Sequence, residues 1–146
     1  VLIVGAGGAA RAAAAFLSSA HARTWVTNRT PERAKALAAD FESIEVTPLD
    51  RLEMEPEVII NCTPLGMRGF PDTLPLPPDL LREGMVVMDT VYNPQETPLL
   101  REAKRRGART ISGIEMLIYQ ATAAFEAWTG ETPPYEVMDQ ALRRAL

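Results

Sequence analysis

Cysteine and histidine each occur only once in the 146 residues, as Cys62 and His21. A lone cysteine excludes an intrachain disulfide and makes a reducing cytosol the expected compartment. One cysteine and one histidine are too few for a protein-built zinc centre, so no metal is expected. Lysine is almost as scarce, with Lys35 and Lys104 alone. A basic excess is missing too. The formal net charge of −4 argues against a nucleic-acid partner, which needs a basic face, yet leaves room for a small basic pocket around an anion. No apolar run approaches the ~20 residues that span a bilayer, so no membrane partner is expected. There is no internal repeat and no low-complexity tract.

What is present is an alternation of strands and helices. Val1–Val4 is a short apolar run that leads into Gly5–Gly8, and a helix should follow from Ala9 to about Ala20. "TWVT" (24–27) reads as a strand. "PERAKALAADF" reads as a helix to about Phe41, with Thr30 as N-cap and Pro31 at the first helical position. "IEVTPL" is a weaker strand, "EVIINCTP" a strong one ending at Pro64, "DLLREG" a short helical turn and "MVVMDTVY" a further buried strand. "TPLLREAKRRG" should be a helix capped by Thr97 and closed by Gly107. "ARTIS" is a last short strand. A long helix should run from Gly113 to about Trp128, and "YEVMDQALRRAL" is a final amphipathic helix that could pack on its own sheet or reach back to a further domain. Strands that are apolar on both faces and separated by helices imply a parallel sheet covered on two sides. The expected fold is therefore α/β: a single domain over 1–146 with a doubly wound, mostly parallel Rossmann-type sheet of about six strands and helices on both faces.

Gly5-Ala6-Gly7-Gly8-Ala9-Ala10 fits the pattern G-x-G-x-x-A. Gly5 permits the tight turn out of the strand, Gly7 lets a pyrophosphate approach the backbone, and Ala10 keeps the helix close to the sheet. The helix start then offers free N–H groups and a partial positive charge. A small-residue packing turn would read the same way in isolation. The strand before it and the helix after it favour a dinucleotide site. An NAD site usually carries an acid some ~20 residues on, to hold the ribose 2′-hydroxyl. Here that position reads Asn28-Arg29-Thr30, with Arg33 one turn further. Guanidinium forks match a phosphate dianion in shape and charge, so the expected cofactor is NADP(H).

"GAGGAARA" followed by "NRTPERAKALA" resembles both shikimate dehydrogenases and glutamyl-tRNA reductases. "NCTPLGM" (61–67), "DTVYNPQETPLLREAKRRG" (89–107) and "GIEMLIYQATAAFEAWTG" (113–130) resemble the shikimate dehydrogenase family, in the expected order. The resemblance implies NADPH-dependent, reversible reduction of 3-dehydroshikimate to shikimate, in the route to aromatic amino acids. It assigns Thr63, Met67, the backbone of Thr90, Gly113 and Met116 to the nicotinamide wall, and Tyr92 and Gln120 to the substrate. Alternatives remain: a core tyrosine for Tyr92, a half-buried amide for Gln120, and core or interdomain packing for Phe125 and Trp128. Asp89 should anchor the local backbone, and Cys62 should be a buried, inert thiol.

Shikimate dehydrogenases are described as using a lysine beside an aspartate, both in an N-terminal domain that also holds most substrate contacts. Neither Lys35 nor Lys104 stands at a strand's carboxyl end, so no catalytic residue is expected in this chain. The expectation is a C-terminal cofactor lobe that shares its small-molecule substrate with an absent N-terminal domain, with a homodimer of the longer protein left open. A quinate/shikimate paralogue, a glutamyl-tRNA reductase-like domain and a non-catalytic NADP-binding module are the rival readings.

Overall fold

The computed structural model describes residues 1–52 and 54–146. Among them the strands are β1 (Leu2–Val4), β2 (Thr24–Thr27), β3 (Ile44–Val46), β4 (Val58–Asn61), β5 (Val86–Asp89) and β6 (Arg109–Ile111). The α-helices are α1 (Gly8–Ser19), α2 (Pro31–Ala38), α3 (Pro98–Arg105), α4 (Gly113–Thr129) and α5 (Tyr135–Ala145). The strands make one sheet in the order β3-β2-β1-β4-β5-β6. Every neighbouring pair is parallel. The expected doubly wound α/β sheet is therefore present.

The period-two alternation of the strands divides the core. Leu2, Val4, Ile59 and Val87 face Leu99, Leu100 and Ala103 of α3, together with Leu76, Leu81 and Met85 from the β4–β5 connection. Ile3 and Val26 point the other way, against Ala10 and Ala14 of α1 and Ala34 and Leu37 of α2. The alanines of α1 let it lie close to the sheet, where a longer side chain would push it off. Thr97 caps α3 by accepting a hydrogen bond from the Leu100 N–H at 3.3 Å, with Pro98 at the first helical position as read from the sequence.

Two expectations need correction, and the place of the last helix was open. The second helix stops at Ala38 rather than near Phe41. Beyond it the Phe41 N–H bonds the Ala38 carbonyl, and the Phe41 ring turns back onto the core beside α2. Of the two packing readings of Phe125 and Trp128, the core one is set aside, for Trp128 is 84% exposed and Phe125 38%. α5 packs on α4 rather than across the sheet, with the Tyr119 and Tyr135 rings 5.6 Å apart. It buries none of its residues fully.

Candidate functional site

Because all the strands run parallel, the loops that leave β1, β2, β4 and β5 emerge at one edge. The strand order reverses between β1 and β4, where such sheets open a crevice. Gly5 leaves β1 with φ +111°, in the region that favours glycine, and its N–H bonds the Thr27 carbonyl at 2.8 Å. A Cβ on Gly5 would lie 3.0 Å from the Cys62 carbonyl carbon and oxygen and 3.2 Å from the Thr63 methyl. The turn thus presses directly on the chain that leaves β4.

Gly7 and Gly8 are the opposite case. A Cβ on either would meet no protein atom within 4 Å. The space over them is a cradle that a side chain would fill, at the mouth of α1. Gly7, Gly8 and Ala9 are exposed, Ala6 is half-buried and Ala10 is buried against the sheet. The first turn of α1 holds no acidic residue. Its N–H groups, which have no partner one turn back, face the cradle with their dipole uncompensated. This arrangement fits a pyrophosphate.

At the end of β2, Asn28 Nδ2 donates to the Thr30 carbonyl at 2.9 Å. Thr30 is the N-cap of α2, but its side chain makes no capping hydrogen bond, which leaves the hydroxyl free. Arg29, Thr30 and Arg33 are all exposed. Neither arginine has an ion-pair partner among the described residues, although Arg11, Arg82, Arg101, Arg105, Arg106 and Arg143 each do. Two uncompensated guanidinium groups beside a helix start form a site for a dianion.

The other half of the edge is tighter. Thr63 and Met67 follow β4, Thr90 follows β5, and Gly113 opens α4. A Cβ on Gly113 would stand 2.5 Å from the Val91 carbonyl oxygen and 2.6 Å from that of Thr90. Only glycine lets α4 dock there, and the contact brings Thr90 and Gly113 together. Met116 is half-buried one turn into α4, and Gln120 is exposed one turn beyond it. The half-buried amide reading of Gln120 is thereby set aside. Tyr92 is 38% exposed, so it is not a core tyrosine. An open cleft of about 270 Å³ lies between Met67 and Pro94, lined by the 66–72 loop.

Beneath these loops lies a buried polar network that motif reading did not find. Asn61, Asp89 and Thr97 are all fully buried. Asn61 Nδ2 donates to Asp89 Oδ1 at 2.9 Å, and Asn61 Oδ1 accepts from the Thr63 N–H at 3.0 Å and the Thr63 hydroxyl at 2.7 Å. Asp89 also accepts from the Val91 N–H at 3.0 Å and the Thr97 hydroxyl at 2.7 Å. Burial pushes the Asp89 carboxyl above its usual range, and the Val91, Thr97 and Asn61 hydrogen bonds oppose that shift. Asp89 anchors the local backbone, as the sequence led us to expect. A signal existed in the sequence: each of the apolar runs "VII" and "VVM" ends in a polar residue.

Cys62 is half-buried. Burial, and then the nearby Asp89 carboxylate, push its thiol up to about 12, so it is not a nucleophile. Lys104 pairs with Glu96 at 2.7 Å on the surface of α3, and Lys35 is exposed on α2. The Lys104 amine is thus occupied by a carboxylate of the loop that follows β5. Among the described residues no group of His, Cys, Asp and Glu could hold a metal, and no helix is long and apolar enough to cross a membrane.

Two family profiles match this chain. "Shikimate / quinate 5-dehydrogenase" matches residues 1–65, and "Shikimate 5'-dehydrogenase C-terminal domain" matches residues 113–143. A curated shikimate dehydrogenase (NADP(+)) of Archaeoglobus fulgidus is 46% identical over 99% of this chain and 56% of its own length. The crystal structure of the Thermus thermophilus shikimate 5-dehydrogenase, in complex with NADP(H) and shikimate, superposes with a TM-score of 0.90 at 43% identity. It is matched over 99% of this chain and 54% of that one. A quinate dehydrogenase of Corynebacterium glutamicum, in complex with NAD, gives a TM-score of 0.87 at 30% identity, over 99% and 54% of the two chains. This chain thus spans about half the length of the curated relatives it matches, 56% in the first case.

Proposed function

Since the chain belongs to the shikimate dehydrogenase family, we propose that it is the cofactor lobe of an NADP-dependent shikimate dehydrogenase. The observation that carries this reading is the glycine cradle just past β1 beside two arginines without ion-pair partners among the described residues just past β2, the neighbouring strand. Gly5, Ala6, Gly7, Gly8, Ala9 and Ala10 would hold the pyrophosphate on the start of α1. Arg29 and Arg33 would grip the 2′-phosphate, with the Asn28 turn and the Thr30 hydroxyl completing that pocket. Thr63, Met67, Thr90, Gly113 and Met116 would wall the nicotinamide, and Tyr92 and Gln120 would reach the substrate.

NADPH held there would supply the hydride that reduces the ketone of 3-dehydroshikimate. The residues of this chain would orient the cofactor and keep water from one side of it. Such a reduction requires a proton for the developing alkoxide, and neither Lys35 nor Lys104 is paired with an aspartate among the described residues. We assign that proton, and most substrate contacts, to the remaining part of the protein, so the chain alone should bind cofactor without turnover. The single cysteine fits a reducing cytosol as its compartment.

The NAD-bound quinate dehydrogenase among its structural relatives makes NAD the rival cofactor. An acid at the end of β2 would favour that rival, and Arg29 stands there instead. The test is the ratio of NADPH to NADH affinity before and after Arg29→Ala. A charge-assisted hydrogen bond that is partly screened at an exposed site predicts a fall in the ratio on the order of tenfold. A ratio that does not change would remove the phosphate clamp.

A further inference from the structure

Asn61 and Asp89 face each other across β4 and β5, the last residues of both strands. Every other residue of the two strands is apolar: Val58, Ile59 and Ile60 on one side, Val86, Val87 and Met88 on the other. An amide and a carboxyl in that place carry a desolvation cost that a pair of aliphatic side chains would not. Sheet stability is therefore not the reason for them. What they provide is geometry at the point where both chains leave the sheet.

The bonds specify a single arrangement. The Asn61 amide nitrogen is used on Asp89, and its oxygen on both donors of Thr63. The Asp89 carboxylate is shared among Asn61, Val91 and Thr97, and Thr97 in turn caps α3. No buried side-chain polar atom among the described residues lacks a partner. On either side of this pair stands a glycine contact with no slack. Gly5 lies against the Cys62 carbonyl and the Thr63 methyl, and Gly113 lies against the carbonyls of Thr90 and Val91. A continuous path of contacts therefore runs from the glycine turn, through Thr63, Asn61, Asp89 and Val91, to the start of α4.

We infer that Asn61 and Asp89 are a positioning pair that sets the distance between the Thr63 wall and the Thr90–Gly113 wall without either side chain touching the cofactor. The Thr63 hydroxyl gives its proton to Asn61 and accepts from the Leu65 N–H at 3.4 Å, so what it offers outward is a lone pair. A group recognised there must be a donor, as the carboxamide nitrogen of nicotinamide is. The role rests on the cofactor reading above. It predicts that damage to the pair is felt at the nicotinamide end and not at the adenosine end.

The experiment titrates the chain with NADP⁺ and with 2′-phospho-ADP-ribose, which lacks the nicotinamide, and follows NADPH fluorescence on binding. Asn61→Leu should bind 2′-phospho-ADP-ribose within about twofold of the parent while losing about tenfold or more for NADP⁺, with the fluorescence change reduced. Asn61→Ser, polar but too short to span both partners, should give the same split and serves if leucine prevents folding. Asp89→Asn keeps an acceptor for Asn61 and Val91, so its loss for NADP⁺ should be clearly smaller than that of Asn61→Leu. Parallel weakening of both ligands would mean that the pair only stabilises the fold. No change in either would mean that it does nothing at the site. Each result overturns the inference. A parent chain that binds neither ligand would instead overturn the cofactor reading, and this role with it.

Discussion

Replacing Gly7 with alanine separates the needs of the fold from those of the ligand. Gly7 has φ −92° and an extended ψ, which alanine adopts freely, and its added Cβ would meet no protein atom within 4 Å. The lower entropy of the unfolded chain favours the variant by about 0.4–1 kcal/mol, and the poorer N-cap offsets a few tenths of that. The net change should stay within about 1 kcal/mol, or less than about 4 °C in melting temperature. Binding should respond very differently. The methyl group occupies the space a pyrophosphate needs, and a phosphate oxygen pushed past about 3.5 Å from the helix N–H groups no longer accepts from them. Two charge-assisted bonds at about 1.5–3 kcal/mol each amount to a loss of roughly 100- to 10,000-fold for NADP⁺. 2′-Phosphoadenosine has no pyrophosphate and should bind as before. Calorimetric titration with both ligands, beside a thermal melt, reads all three quantities. Retention of NADP⁺ affinity within twofold would refute the cradle, and a large fall in melting temperature would refute the account of Gly7 as unconstrained by the protein.

Gly113→Ala should behave in the reverse sense, because its Cβ would meet two backbone carbonyls at 2.5 and 2.6 Å that no rotamer change can move. Urea denaturation should show a loss of about 1–3 kcal/mol, and a variant as stable as the parent would contradict the contact. Glu102, hydrogen-bonded first by Arg105 and then by Arg106, has its carboxyl held down to about 2 from an ordinary 4.5. A lowered folded-state value means that its contribution is complete above pH 4.5 and is lost as the pH falls towards 2. The urea midpoint of the parent should therefore exceed that of Glu102→Gln by a margin that shrinks over that interval, and a constant margin would count against it. The Cys62 thiol, raised to about 12, should resist iodoacetamide at pH 8 until the chain unfolds. Full labelling within minutes in native buffer would show that it is accessible and ionised.

The strands and helices were legible because local signals agreed. Val1–Val4 before glycine, Thr30-Pro31 and Thr97-Pro98 each combine an apolar period with a cap or a breaker. The end of α2 was not legible, since the turn at Phe41 depends on where that ring finds the core. The fate of Phe125 and Trp128 was also hidden. An aromatic residue on an apolar helix looks the same whether it faces a sheet or solvent. At the candidate site, the glycine turn and the arginines follow linear patterns, which is why they were legible. The Asn61–Asp89 bond joins residues 28 positions apart. No periodicity or motif spacing reports a hydrogen bond between two strand ends.

The placement of β1 has a consequence for how the chain comes into being. β1 precedes the other five strands in sequence, yet it lies inside the sheet, between β2 and β4. Its second neighbour does not exist until Val58–Asn61 has been synthesised, so one flank of the central strand waits, unpaired, behind more than fifty later residues. Parallel pairing across such separations is slow and exposes strand edges meanwhile. During translation the nascent segment should depend on chaperones until the ribosome has passed β4, and ribosome-stalled lengths on either side of Asn61 should differ sharply in protease resistance.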